Sequence, residues 1–345
     1  MKNGRNRVIE MRQNSEQSGR RWIVGRWFDL FLLSNLWWPL AFLIAYSGDG
    51  FGGREGLQFW QVYFVTTPHR WITLAVVFLD RERFREQPAV YVGLLAGVVA
   101  LCLGTLLATG SLTCLLAIDY VWNMWHFAAQ HHGIYRLYGR MNSNSDNNNT
   151  VAIPGEKFLM RFFLLYVMTR VAGGTWSWPV WESWMQQIDG WILVIPAILI
   201  ASDVTSGRWS SGRMWYLISL LSLYTGLLLA VHQSWPRIVL ALTTASAIFH
   251  AMEYLALVSW SLDRRVSVSH EQVGHLAWVV KHGGLVLSAY IILLGVGGWM
   301  IENQWFHFWL TLNLMAAFLH YSYDGLIWKR PRRKRSSAMP TLTTN

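Results

Sequence analysis

The sequence returns repeatedly to apolar stretches of about twenty residues, the length at which a helix rising about 1.5 Å per residue crosses the hydrocarbon of a bilayer. Inside lipid each stretch must satisfy its own backbone polar groups, so helices follow. The chain reads as all-α, a polytopic integral membrane bundle of about ten spans. They fall at 27–47, 58–79, 89–109, 112–134, 157–172, 190–202, 213–232, 236–260, 272–299 and 305–328. A basic segment, 1–26, precedes the single transmembrane domain, 27–328, and a basic tail, 329–345, follows it. Of the 345 residues 53% are hydrophobic and only 14% charged, which suits that division.

The net charge of +10 raises nucleic acid as a partner, and the placement of the charge argues against it. Most of the 29 Lys and Arg sit before span one, after spans two, four, eight and ten, or beside Arg208 and Arg213; only Arg54 and Arg237 fall on the opposite side. By the positive-inside rule both termini are expected in the cytoplasm, with a bacterial inner membrane as the location. The tail then serves topology and contact with anionic lipid. The first 26 residues lack the apolar core of a cleavable signal, so span one is expected to act as a signal-anchor.

Met141–Thr150 (MNSNSDNNNT) is a low-complexity polar stretch, too poor in apolar groups to pack, and is expected as a cytoplasmic loop. Trp176–Trp191 alternates tryptophan with polar residues, as in a short helix lying in the outer headgroup region. Arg170 and Arg237 are expected to snorkel to the interface. Cys102 and Cys114 both lie within spans, which supports neither a disulfide framework nor a thiolate cluster.

Ionisable groups inside a membrane are costly and mark sites. His69, His126, His250 and His320 lie in four spans that run the same way. They precede the basic residues at the cytoplasmic exits, Arg81, Arg136, Arg264 and Lys329, by 12, 10, 14 and 9 positions. At about 1.5 Å per residue that is a common band roughly 14 to 21 Å from the inner boundary. In span four Asp119, Asn123, His126, Gln130 and Gly133 form one helical stripe. Span ten repeats the device with Asn313, His320 and Asp324, and span eight with Thr243, Ser246, His250 and Glu253.

A histidine and a carboxylate one turn apart offer a metal two ligands from one helix. Imidazole with carboxylate suits iron, manganese or zinc, and with open positions suits non-haem Fe(II). Pro68, before His69, is expected to kink span two, and Arg70 needs a counter-charge from Asp119, Glu253 or Asp324. His131 and His132 point about 140° and 240° away from His126 on a helix, so the three cannot share a face unless the helix ends or bends. Span nine adds His275, Lys281 and His282 as second-choice ligands or proton carriers. His232, His270 and His307, near the span ends, read as hydrogen-bond partners.

The His-x4-His-His run (His126, His131, His132), the later helix histidines and their placement toward the cytoplasmic side resemble membrane-bound histidine-rich iron oxygenases, the fatty-acid desaturases and hydroxylases. That family repeats His-x-x-His-His boxes, whereas this chain has His-x-x-Glu (His250, Glu253) and His-x-x-x-Asp (His320, Asp324) elsewhere. Carotenoid-cleaving membrane oxygenases, with scattered helix histidines, are resembled equally. The resemblance implies a non-haem iron enzyme that oxidises a hydrophobic lipid, isoprenoid or carotenoid-like substrate entering from the bilayer, with an electron-donor protein as partner. His69, His126, His131, His132, His250, Glu253 and His320 then stand as metal ligands, and Asp119, Gln130 and Asp324 as catalytic or orienting groups. Two other readings stay open: a proton-coupled transporter with a His/Asp/Glu relay, and a b-type haem protein with two axial histidines.

Overall fold

The computed structural model describes residues 22–47, 62–142, 155–176, 179–206, 211–268 and 282–328; among them there is no strand. Eleven helices carry the architecture: α1 (Trp38–Ser47), α2 (Thr67–Leu79), α3 (Pro88–Thr109), α4 (Thr113–Asn142), α5 (Glu156–Trp176), α6 (Pro179–Ile192), α7 (Val194–Thr205), α8 (Ser211–His232), α9 (Pro236–Val268), α10 (Gly283–Gln304) and α11 (Phe306–Ile327). Six stretches are long and apolar enough to cross a membrane: 26–47, 88–109, 182–205, 211–232, 236–264 and 283–304. Three of the four helices that carry the central histidines, α2, α4 and α11, fall outside that set. Helix α2 is only 13 residues long, and in α4 and α11 polar side chains, several of them in the site, interrupt the apolar run.

Local sequence explains the boundaries. Pro88 sits in the first turn of α3, where no backbone N–H is needed, and Gly110 ends that helix with a left-handed φ of 69°. The first span is not continuous. It opens with Arg26–Phe28 and a π-turn, Asp29–Leu33, and breaks at Asn35, whose φ is 42°. The Asn35 amide repairs the break by donating to the carbonyls of Leu32 and Phe249 at 3.2 Å each. The carboxylate of Asp29, fully buried, accepts from the N–H groups of Ile23, Val24 and Gly25. Helix α2 likewise follows a π-turn, Val62–Thr66, and Pro68 lies in its first turn. Tyr290 donates to the Pro68 carbonyl at 2.9 Å, so the irregular backbone is held by α10.

Packing divides into a large core and a smaller one. The large core joins α4, α5, α7, α8 and α9 through Tyr138, Phe163, Tyr216, Leu220, Tyr224 and Phe249. The smaller joins α3, α4 and α11 through Cys102, Leu115, Leu314 and Phe318. Helix α11 also packs on α2, with Val77 and Tyr323 in contact with Tyr91. The four histidine-bearing helices α2, α4, α9 and α11 meet where these cores join.

The helix placed at 272–299 is described over Gly283–Gln304, with His282 at its N-cap, so its end lies further along the chain than expected; His275, Lys281 and His270 fall outside the described residues, as does most of 141–150. The segment expected at the interface is α6, which runs almost directly into α7. Arg170 is not a snorkelling residue: only 2% exposed, it donates to both oxygens of Asp189 at 2.9 Å and both of Glu182 at 3.0 Å, which α6 presents. Arg237 is exposed, donating to the Tyr46 carbonyl at 2.8 Å.

Candidate metal centre

Each of the four helices brings a histidine and, one turn later, a second polar residue: His69 with Thr73 on α2, His126 with Gln130 on α4, His250 with Tyr254 on α9, His320 with Asp324 on α11. Residues four apart share a helical face, so all eight point inward together. The rings touch edge to face. Centroids are 4.6 Å apart for His126 and His320, 5.1 Å for His126 and His250, and 5.3 Å for His69 with either His250 or His320. All four residues are buried.

The nitrogens converge as well. Nε2 of His126 and Nε2 of His320 face each other at 3.1 Å, and Oδ2 of Asp324 lies 3.8 and 3.9 Å from them. Three sets could hold a metal ion: His69, His250 and His320; His126, His320 and Asp324; and His131, His250 and Glu253, each with its ligand atoms within 4.8 Å of one another. Since His320 and His250 each belong to two sets, these are facets of one cluster.

Two nitrogens on a single ion at about 2.1 Å lie no more than about 4.2 Å apart, so ion binding draws the widest sets inward by some tenths of an ångström. The unsatisfied atoms fit an ion. Both nitrogens of His250 are buried without a hydrogen-bond partner among the described residues. Each such group costs about 1–3 kcal/mol unless something at the centre satisfies it.

The i+4 residues hold the ligands from behind. Thr73 Oγ1 meets Nδ1 of His320 at 2.6 Å and the Tyr254 hydroxyl at 2.6 Å, and that hydroxyl donates to Oδ1 of Asp324 at 2.5 Å. One hydrogen-bonded chain therefore fixes both the imidazole and the carboxylate. Gln130 donates to Oε2 of Glu253 and to the His250 carbonyl, both at 3.1 Å. Phe127 stacks on the His250 ring at 3.8 Å and covers that face.

The remaining predicted residues separate by position. Helix α4 runs unbroken to Asn142, so His131 and His132 point away from His126 in different directions. His131 reaches Glu253 Oε2 at 3.0 Å through Nδ1, while its Nε2 meets the Tyr224 hydroxyl at 3.3 Å; with both nitrogens engaged it positions Glu253. His132 belongs to none of the three sets and lines a cavity beside them. Asp119 accepts from the Tyr321 hydroxyl at 3.0 Å and is the carboxylate whose charge Arg70 feels. His232 contacts Asp189 at 3.1 Å, and His307 is exposed.

Thr73, Tyr254, Phe127 and Tyr321 went unrecognised in the sequence. The fourfold i+4 pattern was the available signal for the first two. A Thr73→Val protein, isosteric but without the hydroxyl, is expected to bind metal about 10–100-fold more weakly, with Thr73→Ser restoring affinity; competition against a chelator of known strength checks both.

Fold and site together define an all-helical, multi-pass membrane protein with a buried cluster of histidines and carboxylates able to hold a metal ion. Comparison with protein-family models, curated proteins and solved structures finds no match, so function rests on this geometry.

Proposed function

We propose that this chain is a membrane-embedded metal-dependent oxidoreductase whose histidine cluster holds non-haem iron and which oxidises a hydrophobic lipid, isoprenoid or carotenoid-like substrate. The observation that carries the reading is the 3.1 Å approach of His126 Nε2 and His320 Nε2 beside His250, whose two nitrogens are both unsatisfied. In it His69, His126, His250 and His320 bind the ion, with Asp324 or Glu253 as the carboxylate. Mixed imidazole and carboxylate donors with open positions suit iron. Iron there supplies the activation of dioxygen against an unreactive carbon centre, and a donor protein supplies electrons.

The chain's own residues do the rest. Thr73 and Tyr254 orient His320 and Asp324, Gln130 and His131 orient Glu253, and Phe127 excludes water from the His250 side. The reading includes ten spans, counting the polar helices α2, α4, α5 and α11, with both termini cytoplasmic.

One observation favours it over the haem reading. Two axial ligands of a haem must stand apart with a flat slot between them, whereas these imidazoles touch one another. The test is nitric oxide added to the Fe(II)-loaded protein under anaerobic conditions. A non-haem iron–nitrosyl paramagnetic signal is expected; a haem-type optical spectrum, or bound iron that takes no nitric oxide, contradicts the proposal.

A further inference from the structure

Beside the cluster lies a cavity of about 510 Å³, walled by α4, α5, α9 and α11. Of the seven residues in the three metal-holding sets, His126 and Asp324 alone line it among the described residues. The cavity therefore meets the facet made by His126, His320 and Asp324 and not the other two. Four tryptophans, Trp122, Trp125, Trp260 and Trp328, contribute to its walls together with Leu137 and Leu257. A concave, mainly apolar space with a few convergent polar groups is where a small molecule binds.

The lining offers a ligand mostly rings and hydrocarbon. Polar groups beside the cluster are already engaged: the Tyr254 hydroxyl donates to Asp324, the Tyr321 hydroxyl to Asp119 at 3.0 Å, and the Gln130 amide to Glu253 and to the His250 carbonyl. The Arg161 guanidinium lies over the Trp125 ring at 5.2 Å. Recognition falls to indole faces and aliphatic surface, which gain by removing apolar area from water or lipid and call for no charge on the ligand. Trp122, Trp125 and Trp328 are also exposed, so the cavity opens to the outside of the bundle beside them. Trp125 precedes His126 by one residue, about 1.5 Å along α4, which puts that opening at the depth of the cluster. In a membrane it meets hydrocarbon.

Size narrows the occupant. At about 30 Å³ for each water-sized group, the space holds roughly 17 non-hydrogen atoms. We infer that this cavity is the substrate chamber of the metal centre, and that the substrate is an uncharged single-chain or one-ring molecule of that size, a fatty or isoprenoid alcohol or hydrocarbon, entering sideways from the bilayer. A two-chain phospholipid or a forty-carbon pigment overfills it. That the occupant is the substrate rests on the metalloenzyme reading; its binding does not. Gly133 and Gly325 keep the chamber open: both line it, and a Cβ at either would meet nothing within 4 Å.

The test is photolabelling of the full chain in phospholipid nanodiscs with a dodecanol that carries a diazirine, the labelled residues being identified by mass spectrometry. Labelling is expected on Leu137 and Leu257, and excess hexadecanol is expected to suppress it by about tenfold or more, whereas β-carotene at the same concentration leaves it in place. The Gly133→Phe/Gly325→Phe protein is expected to lose labelling to a similar extent, and the Gly133→Ala/Gly325→Ala protein, which adds only methyl groups to open space, to keep it. Labelling that hexadecanol does not suppress marks lipid contact only and overturns the inference. Labelling unchanged in the phenylalanine variant overturns it as well, and so does suppression by β-carotene equal to that by hexadecanol. Metal content measured in the same preparations separates the two proposals. Bound iron without suppressible labelling defeats this inference alone, and suppressible labelling without iron defeats the metal reading alone.

Discussion

A His250→Leu protein is expected to lose its bound metal while its metal-free form unfolds at the same temperature as the metal-free parent, or higher. Ordinarily a fully buried histidine is removed at a cost, because its hydrogen-bond partners are left behind. His250 has none to leave: both ring nitrogens are buried and unpaired, and the ring is stacked under Phe127. Leucine, of similar bulk, keeps the packing and removes two unsatisfied groups worth about 1–3 kcal/mol each. Metal binding loses a ligand that belongs to two of the three candidate sets, so the expected fall is to background. Thermal unfolding with and without chelator, alongside metal analysis, checks both halves. A strongly destabilised metal-free variant would show that His250 is a structural residue.

The second large effect lies at the opposite end of the bundle. Arg170→Ala is expected to destabilise the protein by about 3–5 kcal/mol, the cost of stranding a buried charge. Asp189 is fully buried and would keep only Tyr166 at 2.7 Å and His232 at 3.1 Å. Adding Asp189→Asn should recover part of the loss, since the stranded carboxylate carries most of it. An interfacial snorkelling arginine would give a change below about 1 kcal/mol for the single substitution and no recovery in the double. Thermal unfolding of both proteins in one detergent decides between them.

Arg170 also shows where the sequence misleads. Its counter-charges Glu182 and Asp189 stand 12 and 19 positions away on α6, a segment whose tryptophan pattern looks interfacial, and no helical periodicity links the two elements. The histidine cluster was legible for the opposite reason. Four helices running the same way must place residues equally distant from their exits at one depth, so convergence of His69, His126, His250 and His320 needs only the helix rise and the charge asymmetry. What depth cannot supply is azimuth. Whether His131 or His132 faces the cluster depends on α4 continuing unbroken past both, and Gly133 between them and the helix end left that open. Thr73 escaped notice because a lone threonine hydroxyl on an apolar helix is ordinarily satisfied by its own backbone, and Tyr254 because a tyrosine on such a helix reads as core; here the two bridge three helices. The break at Asn35 is marked in the sequence by Pro39, in the first turn of α1, but its compensation, the Phe249 carbonyl, comes from a helix more than two hundred residues on.

The cavity follows the same logic. The stripe Asp119, Asn123, His126, Gln130 and Gly133 is visible in the sequence, and its continuation to Leu137 and Arg140 lines a cavity beside the cluster. Arg161 joins that lining from α5, its guanidinium over the Trp125 ring.

X-ray absorption at the iron edge of the purified, iron-supplemented protein decides whether these imidazoles hold iron. One or more iron atoms per chain are expected in a nitrogen and oxygen shell, with the multiple-scattering pattern of several imidazoles and no sulfur. Iron at trace level, or a metal shell free of imidazole, would show that they do not.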